Sequence, residues 1–415
     1  MRDSLDKRRV YADHSAATSV LDEVREAILT EMETYGNASS MHRSGREARQ
    51  KVEEARAQVA ELVGAKPSEV IFTSGGSESN NMVIRSFAES MDGRDEVIVS
   101  GIEHPSVLNA TKHLENSGMK VRYLSVDSDG AIDFAEFERI LSKKTALVSI
   151  MLANNETGVI QDIRRVAEMA KKAGAMVHTD AVQAIGKISV DVMELGVDYM
   201  TMSAHKIGGL KGVGALYVRE GARISPLIRG GEQEKGLRAG TYNTLGIIGF
   251  GRAAEKARES LEYYAMHSSL LCKVLKEAIL TTIPGAIVNS SARKTLPNIL
   301  NVSFSGAEGE SILLALDERG VEVSTGSACA SENLEPSHVL MAMGKDAELA
   351  HGSIRFSFGL ENSEDDVDYI MRVLPEIIAK LRMMSTVGYE SHTPLPQILT
   401  AKTSSNPSGM RSSEW

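Results

Sequence analysis

A short β-branched run followed by a longer stretch of helical periodicity recurs along this chain, and nothing else in it narrows the possible folds as much. The runs are EVIFTS (69–74), EVIVSG (96–101), TALVSIML (145–152), AMVHTD (175–180) and VDYMTMSA (197–204), with VGALYVR (213–219) as a further strand. Alternating βα units predict a mainly parallel sheet with helices on both faces, an α/β fold. Between them, the amphipathic spacing from Arg46 to Leu62 predicts a helix that Gly64 and Pro67 bring to a stop. A long helical region with polar breaks runs from about Leu245 through Leu280. Residues 281–382 then mix helices with runs such as NILNVSFS (298–305) and GSIRFSFG (352–359), an α+β pattern. At about 150 residues per domain, a chain of this length holds two or three domains. The expected division is a large domain over 16–260, a smaller α+β domain built from 1–15 and 261–382, and a flexible tail over 383–415, where Ser, Thr and Pro displace the periodicity.

Charge and cysteine content set the partners aside. Lys and Arg number 46 against 56 Asp and Glu, so a phosphate-neutralising surface is not expected, and with it no nucleic acid partner. Two cysteines, Cys272 and Cys329, make no disulfide framework and no CxxC pair for structural zinc, and no HExxH motif is present, so no metal is expected. The start, MRDSLDKRRVYADHS, is polar and charged, and no run of about eighteen apolar residues occurs, which predicts a cytoplasmic protein without membrane attachment.

In sheets of this kind ligands bind beyond the carboxyl ends of the strands, so the residues after each run are the first candidates. They are Ser74 to Glu78, Glu103 with His104, Asn154 with Asn155, Asp180, and Ser203 to Lys206. Lys206, in SAHKIGGLKG, stands where a Schiff-base lysine would, because desolvation and nearby cations lower an amine's pKa enough for it to form an imine and to move protons. The alternative is an ordinary surface lysine. Asp180 could hold a pyridinium nitrogen protonated or simply cap a helix. Gln183 could bond a ring hydroxyl, and SGGSES (74–79) offers N–H groups at a helix start for a phosphate, with Ser203 and His205 as further donors. His104, ahead of Pro105, could stack on an aromatic ring and shuttle protons, or be a satisfied core histidine. Arg355, among alternating apolar residues, could present its fork to a carboxylate or form a structural ion pair. Cys329 stands in STGSACASENLEPSH without bulky neighbours, whereas Cys272 falls in a helical apolar pattern that predicts core. GFGRAA (249–254) matches a dinucleotide pattern with no strand before it, and reads instead as close helix packing.

Taken in order, YADHSAAT, YGNASSMHRSGREA, IFTSGGSESNN, EHPSVL, ANNETGVIQDI, HTDAVQAIGK, SAHKIGGLKGVGALYVR, RGGEQEKGLRAGT, STGSACAS, LEPSHVL and HGSIRFSFG resemble the cysteine desulfurases of the NifS/IscS type, class V aminotransferases of pyridoxal-phosphate fold type I, over about residues 10–382. The resemblance implies pyridoxal 5'-phosphate bound covalently to Lys206, Asp180 on the pyridine nitrogen, His104 on the ring, Gln183 near the ring hydroxyl and Asn155 beside cofactor and substrate. Gly76, Ser77, Ser203 and His205 would hold the phosphate, with Thr241 reaching in from the neighbouring subunit of a homodimer. Arg355 would bind the carboxylate of L-cysteine. Cys329 would be the nucleophile that takes up sulfur as a persulfide and passes it to an iron–sulfur scaffold or other sulfur acceptor. His14 and Ser15 depart from the Asn-Asn pair that the family often carries, and Ser77 replaces its usual threonine. A selenocysteine lyase or a plain class V aminotransferase would share Lys206 and Asp180. A noncatalytic sulfur-carrier or scaffold-binding protein would need only the cysteine loop.

Overall fold

The computed structural model describes residues 8–88, 93–289, 294–326 and 335–384. Its central sheet has seven strands, β2 (Val70–Thr73), β3 (Glu96–Ser100), β4 (Lys120–Leu124), β5 (Thr145–Ser149), β6 (Met176–Asp180), β7 (Tyr199–Ser203) and β8 (Gly214–Val218), in the spatial order β2-β8-β7-β6-β5-β3-β4. The pairs from β7 through β6, β5 and β3 to β4 are parallel. β8 alone runs antiparallel, to both β2 and β7.

Five strands are buried on every residue, which is why the sequence shows them as unbroken β-branched runs rather than alternations. Successive residues nonetheless serve two different cores. Phe72, Met200, Met202, Ala215 and Tyr217 pack on one face with the helices Arg43–Leu62, Ile163–Ala173 and Thr244–Glu259. Ile71, Tyr199, Leu216 and Val218 pack on the other with Gly76–Arg85 and Pro105–Asn116. The period of two is therefore intact, and both faces are covered.

A second, antiparallel sheet has the order β12-β13-β10-β9, from Ser324–Thr325, Ser353–Ser357, Ile299–Phe304 and Ala286–Val288. It is backed by the helices Leu261–Thr282, Gly309–Glu318 and Glu364–Met384 around a core of Leu271, Leu275, Phe304, Ile312, Phe356 and Leu374. β1 (Val10–Tyr11) pairs in parallel with β11 (Val321–Glu322), and Val10 and Ala12 join this same core. No helix among the described residues is long and apolar enough to cross a membrane.

Three local features differ from expectation. The sequence reading passed over β4 because it is an edge strand whose only buried residue is Leu124, so Lys120 and Arg122 mask it. The helical region near 245–280 is two helices, Thr244–Glu259 and Leu261–Thr282, that meet at Ser260. The helix around 46–62 begins one turn earlier, at Arg43, where the His42 ring accepts the Gly45 N–H.

Candidate active site

The carboxyl ends of the central strands open onto a cleft of about 320 Å³. Gly76 and Ser77 reach it after β2, His104 after β3, Asn155 after β5, Asp180 and Gln183 from the end of β6, and Ser203, His205 and Lys206 from the end of β7. Arg355 enters from β13 of the second sheet. The structure thus gathers these ten residues. Thr241 does not line the cleft and stands exposed just ahead of the helix Thr244–Glu259. Cys329 lies outside the described residues, as does the tail after Met384.

Asp180 is held rigidly. Its Oδ2 accepts the Asn80 amide at 2.7 Å and its Oδ1 accepts the Val182 N–H at 3.0 Å. Asn80 lies one helical turn beyond Gly76 and so faces the same side. Its amide also donates to Ser106 Oγ at 2.8 Å, which lies 2.7 Å from His104 Nδ1. The His104 ring caps the helix Pro105–Asn116 by accepting the Ser106 N–H at 3.1 Å. That bond makes Nδ1 an acceptor and leaves the ring proton on Nε2. Burial lowers the His104 pKa, with Asp180 opposing and Lys206 reinforcing the shift, so the imidazole is neutral near pH 7.

Lys206 closes a single 3-10 turn, Ala204–Lys206. Its Nζ donates to the carbonyl oxygens of Ser15 at 2.5 Å and Ala16 at 2.8 Å. Gln183 Nε2 donates to the same Ser15 oxygen at 2.9 Å. The His14 ring turns away, to Tyr11 and Gly359, and what this segment gives Lys206 is the backbone carbonyls of Ser15 and Ala16. Sequence reasoning missed Ser15 and Ala16 for that reason, since a carbonyl carries no residue signature. It also missed Asn80 and Ser106, though Asn80's place four residues after Gly76 was a usable signal.

At the opposite corner the helix Gly76–Arg85 begins without any side-chain cap, leaving its first N–H groups to a ligand. Gly75 has φ 152°, and a Cβ at Gly214 would fall 2.6 Å from the Gly75 Cα, so the backbone here tolerates no side chain. Ser203 Oγ and His205 Nδ1 lie 2.8 Å apart beside it. Burial, with Lys206, Lys187 and Lys211 adding to it, pushes the His205 pKa down to about 4. Uncapped N–H groups, a hydroxyl and nearby cations form a donor set suited to a phosphate dianion.

Arg355 is almost wholly buried. Its Nη1 donates to the Asn155 carbonyl at 2.8 Å and its Nη2 to Asp13 Oδ1 at 2.8 Å, while its buried Nε has no partner. The structural ion pair is therefore real, and with two of the five N–H donors engaged the Nε–H is among those left for an incoming carboxylate. Cys272, on the helix Leu261–Thr282, is partly buried against the second core, and burial pushes its thiol pKa up, which leaves it inert. A Cβ at Gly251 would lie 2.6 Å from Ala55 Cα, so GFGRAA serves helix packing.

Comparison with known proteins agrees with this geometry. Residues 10–370 match the family model for class V aminotransferases. The cysteine desulfurase IscS of Dictyoglomus turgidum is 48% identical over 387 residues, 92% of this chain and 98% of that protein. A solved NifS-like protein superposes with a TM-score of 0.85 at 42% identity, covering 90% of this chain and all of the other. The structure of SspA in complex with cysteine gives 0.74 at 33% identity, covering 84% and 98%.

Proposed function

The chain belongs to the class V aminotransferase family, and on that footing we propose that its cleft holds pyridoxal 5'-phosphate and that it works as a cysteine desulfurase, converting L-cysteine to L-alanine and retaining the sulfur as a persulfide. The observation that carries this reading is the convergence of Lys206, Asp180, His104 and an uncapped helix start on one cleft. When bound, the cofactor supplies an electron sink for the pair left by a broken Cα–H bond.

The chain's own groups do the rest. Asp180, fixed on both oxygens, holds a proton on the ring nitrogen. Neutral His104 would cover the ring face, and Gln183 would donate to the ring oxygen. Gly76, Ser77, Ser203 and His205 take the phosphate. Arg355 binds the substrate carboxylate through its unpaired Nε, next to Asn155. The Lys206 amine, once released, removes the Cα proton, and the Ser15 and Ala16 carbonyls hold its N–H groups while it carries that proton. Cys329 attacks the substrate sulfur as a thiolate. The new S–S bond forms as Cβ–S breaks with its electron pair left on the carbon skeleton, which takes up one proton at Cβ, recovers the Cα proton from Lys206 and leaves as alanine. Sulfur then passes from Cys329 to an acceptor such as an iron–sulfur scaffold protein. Thr241, exposed and away from its own cleft, would complete the partner subunit's phosphate site in a homodimer.

Borohydride reduction of the loaded protein followed by peptide mapping tests the central assignment: the pyridoxyl label is expected on Lys206, and a label elsewhere, or none, overturns it. Cys329→Ala should keep the visible absorption of the cofactor and lose persulfide formation. Sedimentation should show a dimer, and Thr241→Ala should weaken phosphate-dependent cofactor retention.

A further inference from the structure

Lys187 is 1% exposed and lies four residues past Gln183, in the turns that follow β6. Its amine donates to Gln183 Oε1 at 2.8 Å. Burial drives its pKa well down, and the cations Lys206 and Arg355 push the same way. His14 and His205 also lie within its field, and Glu361 and Asp13 act on His14 in the opposite sense. Burying an amine is unfavourable unless its N–H groups find partners.

What it does is visible in the amide beside it. A glutamine side chain presents an acceptor at one end and a donor at the other, and only its neighbours decide which way it faces. The Ser15 carbonyl can only accept, so it takes one N–H of Gln183 Nε2 at 2.9 Å. Lys187 satisfies the oxygen at the other end. Held at both ends in this way, the amide has one N–H taken by Ser15 and a second left for the cleft that Gln183 lines. The Ser15 oxygen is also the acceptor of Lys206 Nζ, so amine, amide, carbonyl and amine form one buried chain.

We propose that Lys187 is a positioning residue for the reaction, fixing the Gln183 amide so that it presents an N–H donor to the oxygen of the cofactor ring and thereby sets the protonation of the nitrogen contributed by Lys206. This rests on the reading of Lys206 as the lysine that binds pyridoxal phosphate. An N–H donated to the ring oxygen stabilises it as an anion and lowers its basicity, which makes the neighbouring nitrogen easier to deprotonate. Without Lys187 the amide keeps its Ser15 contact but loses the partner of its oxygen, so its N–H is no longer held toward the ring and the proton is held more tightly.

The test is a pH titration of the visible absorption of the loaded protein, with no substrate present. Lys187→Met should move the midpoint of the colour change upward by about one pH unit, the size expected for a lost hydrogen bond to a charged group. Gln183→Ala should move it the same way, and Lys187→Met in the Gln183→Ala background should add nothing further. Lys187→Leu is the second variant should the Met protein not accumulate. An unchanged midpoint in either Lys187 variant overturns the proposal, as does a full additional shift in the double variant, which would assign the effect to the lysine's charge alone. A parent protein that shows no visible band with pyridoxal phosphate would instead overturn the reading of Lys206, so the two failures are distinguishable.

Discussion

Asp180 and Glu103 are both carboxyl groups beyond strand ends, and their neighbours give them opposite characters. Asp180 receives an N–H on each oxygen. Glu103 is fully buried, and both of its donors, Ser100 Oγ at 2.6 Å and the Met151 N–H at 2.7 Å, fall on Oε1, leaving Oε2 without a partner. Burial outweighs those bonds and pushes its pKa up to about 8, so Oε2 carries a proton near neutrality. An unfolded glutamic acid ionises near its ordinary value of 4.5, whereas this one keeps its proton until about 8. Between those limits the folded state binds more protons, and stability falls as pH rises. Glu103→Gln should remove that slope: denaturation midpoints measured at about pH 5 and about pH 8 should show the variant gaining on the parent by up to a few kcal/mol across the window. A parallel loss in both proteins would contradict the buried proton. Asn80→Ala removes one of the two bonds that orient Asp180, and a spectrophotometric titration should find cofactor affinity about tenfold weaker, the equivalent of one hydrogen bond to a charged group.

At the scale of elements, the contact between the helices Arg43–Leu62 and Thr244–Glu259 depends on what is missing from Gly251. A methyl group there would meet backbone and side chain of Ala55 at 2.6 and 2.7 Å. Gly→Ala in a helix interior usually gains about 1 kcal/mol, but overpacking costs about 1–3 kcal/mol. Gly251→Ala should therefore lower the thermal midpoint, and a rise would show the helices able to part. The same elements show what could be read from sequence. β2, β3, β5, β6, β7 and β8 were legible because double-sided burial writes itself as continuous apolar runs. β4 was not, because an edge strand needs no such run, and the antiparallel direction of β8 follows from how the chain returns rather than from any local residue. The side chains of the cleft were legible through their place just past strand ends. Ser106 and Lys187 were not, because each acts through another residue, and Asn80 was marked only by its place four residues after Gly76.

For the whole molecule, the cleft is assembled from distant parts of the chain. Arg355 sits on β13 between Asn301 and Ser324, and its ion-pair partner Asp13 comes from the opposite end of the sequence. Asp13→Asn leaves the guanidinium less firmly aimed, so it should raise the KM for cysteine about tenfold while the absorption spectrum of the loaded protein stays as it is. A spectrum that changes with it would move Asp13 from substrate binding to cofactor binding. The pairing of β1 with β11 sets Val10 against Val321, and β1 leads directly to the carbonyls that hold Lys206. During synthesis, therefore, the segment at Val10 has no strand to dock on until Val321, some three hundred residues further along the chain, has been made. Lys206 and Asp180 belong to a sheet whose strands all lie between Val70 and Val218, so they can take their places while the carbonyls that steady the amine still hang on an unpaired segment.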